Sequence, residues 1–129
     1  MFMKYKYLLK FYFLLFFIPF NSFANDFENS YLYCNQVPEG NPFGLIFDNS
    51  KVSQIGIENF KKIYDYSESY TKLNQEIKWL NVALNLDKLT LHIGNQSNYF
   101  AKCEKIINLR ELNKLLENFI ISLQYKNTI

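Results

Sequence analysis

Histidine is nearly missing from this chain: His92 is the only one among 129 residues. An imidazole-based metal centre, or a Ser-His-Asp or Cys-His catalytic arrangement, would have to pass through that one side chain. No cysteine or carboxylate cluster stands near it in the sequence, and there is no G-x-S-x-G elbow. His92 alternates with Leu91 and Ile93, so it falls with Thr90 on the other face of a strand and reads as an exposed strand residue. Glycine occurs four times, and the four form no phosphate-binding loop. The 12 acidic residues are scattered, many beside turns or lysines, which reads as solvated surface rather than a glycosidase pair. These scarcities point to a protein without metal, cofactor or catalytic residues.

Long apolar runs are also scarce, and the one present sits at the start. Lys4, Lys6 and Lys10 form a basic region, Phe11 to Phe20 an uncharged apolar run, and Ser22 and Ala24 supply small side chains before a cut after Ala24. Residues 1–24 therefore read as a secretory signal peptide. The run is short of the roughly 20 apolar residues that span a bilayer, so no stable membrane span is expected after cleavage. The expected location is the periplasm or the exterior of a bacterial cell. Removing the three lysines changes the formal net charge from +2 to about −1. No basic stripe is left to displace phosphate counterions, which argues against a nucleic-acid partner. Residues 25–129 are of a size for one core.

Two cysteines remain, Cys34 and Cys103. In an exported chain an even pair reads as a disulfide. With no C-x-x-C spacing, a staple between the first and last strands is the better reading than a redox site. Closing a loop of about 70 residues is worth roughly 4 kcal/mol in the chain-entropy view.

Between the cysteines the apolar period is mostly two. Tyr31–Cys34, Phe43–Phe47 and Val52–Ile57 read as strands, with breakers Pro38, Gly40 and Pro42 and the turn Asp48-Asn49-Ser50 between them. Residues 63–66 and the surroundings of Tyr70 are weaker candidates. Ile77 and Trp79 share one face of the next strand. Strands 82–86 and 89–93 follow, and their apolar parity flips across Asp87-Lys88, leaving a hairpin turn or a bulge open there. Tyr99–Ile106 is the last strand. From residue 108 to 124 the period changes: Leu109, Leu112, Leu116, Phe119 and Leu123 recur at three and four, with Asn108 as N-cap and Glu111 in the first turn. The expected fold is mainly β (α+β): an antiparallel meander of about six to eight short strands with a C-terminal amphipathic helix. That helix either covers one face of the sheet or serves a partner.

Tyr64, Tyr66 and Tyr70, with Lys72 and Lys78, mark a candidate binding surface, because flat rings bury much area at low entropy cost. Asn95-Gln96-Ser97 is a glycosylation sequon that matters only in a host that glycosylates secreted proteins. Ser67-Glu68-Ser69-Tyr70, followed by Ile77-Lys78-Trp79, resembles the serine-tyrosine loop and aromatic strand of the periplasmic C-type lysozyme inhibitors. Those are small exported β-domains with a first-to-last-strand disulfide. The glycine of that loop is absent here and the C-terminal helix is extra, so no functional residue is carried across. The reading is a non-catalytic exported module, binding or inhibitor-like, with an unknown protein or glycan partner. The alternative is an envelope-assembly factor docking through its helix.

Overall fold

The computed structural model describes residues 27–128; the proposed signal peptide, 1–24, lies outside the described residues. Nine strands and one helix follow in order: β1 Ser30–Gln36, β2 Phe43–Asp48, β3 Lys51–Glu58, β4 Lys61–Ser69, β5 Thr71–Leu73, β6 Glu76–Trp79, β7 Val82–Asn85, β8 Thr90–Ile93, β9 Tyr99–Ile106 and α1 Leu109–Thr128. The class is the expected one, mainly antiparallel β with a terminal helix, though the strands number nine rather than six to eight. The additional strands come from the polar stretch after residue 60, where β4 is long and β5 is a separate three-residue piece.

All nine strands form one sheet in the order β4-β3-β2-β1-β9-β8-β7-β6-β5. Its two outermost strands are consecutive in the chain, joined by Tyr70 alone. A sheet whose opposite edges are one residue apart must roll upon itself, as eight-stranded barrels do. The roll is fastened by the Trp79 indole N–H on β6, which donates to the Tyr66 hydroxyl on β4 at 2.9 Å. Inside it, Phe47 meets Phe27, Tyr70 and Trp79 edge-on, with ring centroids 4.8, 5.4 and 5.8 Å away. Leu32, Leu45, Val52, Ile77, Leu84 and Leu91 complete this interior.

The hairpins are set by turn chemistry. Asp48 pairs with Lys51 and Glu58 with Lys61, leaving Asn49-Ser50 and Asn59-Phe60 as two-residue turns. All four residues have positive φ, between 53° and 63°, the primed geometry that matches strand twist. The parity flip at Asp87-Lys88 is a turn. Asn85 pairs with Thr90, and the Asn85 side-chain oxygen accepts from the backbone N–H of Asp87 and of Lys88. Bulges occur elsewhere, at Gln54/Ile55 against β4 and at Leu91/His92 against β9.

The first and last strands are neighbours, and Cys34 pairs directly with Cys103 in that ladder. The two are disulfide-bonded across 69 positions of sequence, and both are buried.

Helix α1 begins as its cap predicts: the Asn108 side-chain oxygen accepts from the Glu111 N–H at 2.9 Å. The helix runs four residues beyond the expected end. Leu112 and Leu116 are fully buried, in a second cluster on the outer face of the sheet with Ile55, Tyr31, Tyr33, Ile46, Ile57 and Ile106. Full burial of each such leucine is worth roughly 1.5–3 kcal/mol. The close approach depends on Gly44: a Cβ there would lie 3.0 Å from a Leu112 methyl. Lys62 adds an ion pair to Glu117 at 2.8 Å. With both partners partly solvated, it is worth under about 1 kcal/mol.

Candidate functional site

The strand directions bring six features to one end of the roll. They are the C-terminal ends of β1, β3, β6 and β8, the 37–42 loop, and the β3–β4 turn. At this end a cleft of about 330 Å³ opens, lined by Gln36, Asn41, Gln54, Glu58 and Asp65 over Pro42 and Phe43. The sequence reading did not find it. Its residues come from four separate segments, and the one local signal is Gln54. In β3 this residue takes the inward parity of buried Val52, where an apolar side chain would be expected.

Gln54 is inward because it is part of a side-chain relay. The Trp79 indole donates to the Tyr66 hydroxyl, which donates to Gln54 Oε1 at 2.9 Å; Gln54 Nε2 donates to Asp65 Oδ2 at 3.0 Å. A buried indole is thereby connected to an exposed carboxylate at the cleft. Asp65 is the extra residue of the β4 bulge, which turns its side chain toward Gln54. Gly56 makes room for it, since a Cβ there would sit 2.5 Å from Asp65 Oδ2. Burial raises the Tyr66 hydroxyl above its ordinary pKa; the Trp79 hydrogen bond acts the other way, and the charges of Asp65 and Glu68 add to the rise.

Tyr66 and Tyr70 are half-buried, facing the interior. The Tyr70 hydroxyl donates to Glu28 Oε1 at 2.7 Å, and the same oxygen accepts from the Ser50 N–H at 2.7 Å, which ties the N-terminal segment under the roll. Tyr64 is opposite Ile55 on the outer face and is 70% exposed. Lys72 and Lys78 are exposed on β5 and β6, with Lys78 3.8 Å from Glu76. Ser67 to Ser69 belong to strand β4, not to a loop.

His92 is half-buried rather than exposed. Its Nδ1 is 3.1 Å from the Gln96 carbonyl and its Nε2 is 2.9 Å from the Thr90 hydroxyl. A carbonyl only accepts, so Nδ1 carries the hydrogen, and in the neutral ring Nε2 accepts from Thr90. Nδ1 thus holds the 94–98 loop, and Nε2 is taken up within β8 by Thr90. Among the described residues no three His, Cys, Asp or Glu side chains form a group able to hold a metal ion, and no helix is long and apolar enough to cross a membrane.

The tyrosines give a pH prediction. Burial, then the Glu28 hydrogen bond and carboxylate charges, pushes the Tyr70 hydroxyl far above its usual 10.0. Burial, then Glu104, raises Tyr33 likewise. A raised folded-state value keeps its contribution complete below pH 10. Above that the unfolded chain loses protons first, so stability falls as pH climbs toward the folded values. Denaturant melts should be flat between pH 7 and 9 with respect to these groups and weaken above about pH 10. In Tyr70→Phe the alkaline decline should be shallower; an identical slope would reject this assignment.

Comparison of the chain with known protein families, with curated proteins and with solved structures finds no match.

Proposed function

We propose that this chain is an exported, non-catalytic binding module, inhibitor-like in offering a rigid surface to a protein partner in the periplasm or outside the cell. The contact surface in this reading is the cleft end of the roll together with the adjoining outer wall. There Tyr64 projects beside Asp65; Lys72 on β5 and Lys78 on β6, opposite Ile77 and Thr71, follow the Ser69 end of β4 and stand apart from the cleft lining. Tyr66 and Tyr70 act from within, fixing the strand that carries Tyr64. The carrying observation is the relay from Trp79 to Asp65: it holds a bulged, charged, exposed residue rigidly at the mouth of a cleft. Rigid presentation lowers the entropy cost of association.

Affinity capture from envelope extract tests this. The wild-type domain and a helix-face variant, Ile121→Ser, should retain the same protein, and Tyr64→Ala/Asp65→Asn should lose it. Equal capture by all three would overturn the surface assignment. Loss with Ile121→Ser alone would favour docking through α1, whose Ile121 is 60% exposed. A glycan in place of the protein would reject the protein-partner reading.

A further inference from the structure

We propose that the cleft receives a basic side chain, arginine or lysine, presented by the partner protein; this rests on the reading of the cleft end as the contact surface. The first argument is the hydrogen-bonding balance of the lining. Gln36 Nε2 donates to the Asn41 carbonyl at 2.8 Å, Asn41 Nδ2 to the Ile57 carbonyl at 3.3 Å, and Gln54 Nε2 to Asp65. Each amide therefore has an N–H committed within the protein. The groups left to meet a ligand are mostly acceptors: the amide oxygens of Gln36 and Asn41 and the carboxylates of Glu58 and Asp65. A ligand that fits such a lining must donate.

The second argument is charge. None of the lining residues is basic, and two are carboxylates. A cation entering here gains charge-assisted hydrogen bonds and meets no basic residue in the lining, although Lys61 stands opposite Glu58 in the β3–β4 ladder. The third is the tip of the hairpin that supplies Glu58. Phe60 sits in the left-handed region with φ 63° and is 40% exposed. That position of a primed turn suits glycine or asparagine, and a bulky residue there is strained. The ring is left partly open to solvent at that tip. Two residues after Glu58 in the same hairpin, though not itself in the lining, it offers a face on which a guanidinium or ammonium group can rest.

Backbone-amide NMR titration with N-acetyl-arginine methylamide tests the proposal, with the neutral citrulline analogue and N-acetylglucosamine as comparisons. The arginine probe should shift resonances of Asn41, Gln54, Gly56 and Asp65. The citrulline probe should bind at least about tenfold more weakly, the expected loss for a charge-assisted contact. Glu58→Gln/Asp65→Asn should abolish the shifts while keeping the wild-type melting temperature, since Asn can still accept from Gln54. Equal binding of arginine and citrulline, or no shift at the cleft, overturns the basic-side-chain proposal. If capture still depends on Tyr64 and Asp65 in that case, the contact surface stands and only its ligand is wrong. Shifts with the sugar alone replace the cation by a glycan. Loss of both readouts rejects the surface as well.

Discussion

Cys34→Ala/Cys103→Ala should melt far below the wild type, by roughly 10–30 °C. Cross-linking a loop of this length is worth roughly 2–5 kcal/mol, and a domain near 100 residues shifts by about 4–8 °C per kcal/mol. The bond joins residues directly opposite each other on β1 and β9, and both side chains lie inside the core. The same two strands are also joined by their ladder and by α1, which packs over Tyr31 and Tyr33 of β1 and Ile106 of β9. Reductant added to the wild type should reproduce most of the loss, which separates the cross-link from the small cavities left by alanine. Calorimetry provides the readout. A shift of only a few degrees in both experiments would mean that the β1–β9 ladder holds without its staple.

Leu116→Ala should cost roughly 2–5 kcal/mol, as truncations of fully buried leucines do. Leu116 packs from α1 onto the outer face of the sheet, one turn after Leu112, whose own close approach depends on the missing side chain at residue 44. Ile121→Ala, on the exposed side of the same helix, should stay within about 0.5 kcal/mol. The pair of melts reads the two faces of one helix against each other. An unchanged melt for Leu116→Ala would mean that α1 contributes nothing to the fold, and the docking reading would replace the core reading.

The apolar parts of this architecture are legible from residue order alone. Val52, Ile77 with Trp79, and the leucines of α1 follow the periods of strand and helix, and Asn108 announces the helix start. The even cysteine count gave the staple. Strand β4 was hard to read for a physical reason. It is a border strand whose outer face is wet, its inward positions are Ile63, Tyr66 and Glu68, of which only the first is aliphatic, and the bulge at Asp65 breaks its alternation. Strand β5 is exposed at all three positions and has no pattern to detect. The cleft was illegible because no stretch of sequence contains it. Gln36, Asn41, Gln54 and Asp65 converge only once the sheet has rolled, and the relay that explains Gln54 spans three strands.

The adjacency of β1 and β9 also sets the order in which this molecule can be made. A chain delivered from its N-terminus forms the β1–β2–β3–β4 meander early, through hairpins of near neighbours. One flank of β1 then stands open until residues 99–106 have arrived, because that is where its second partner lies. Most of the polypeptide must emerge before the roll can shut, and such long-range pairing is intrinsically slow. Throughout that interval β1 exposes unpaired backbone groups and the inward leucine Leu32, the features that invite pairing with a foreign strand. A chain truncated before residue 99 should therefore be prone to self-association rather than simply less stable. The vulnerable period of this protein is the interval before residues 99–106 reach β1, not its working life.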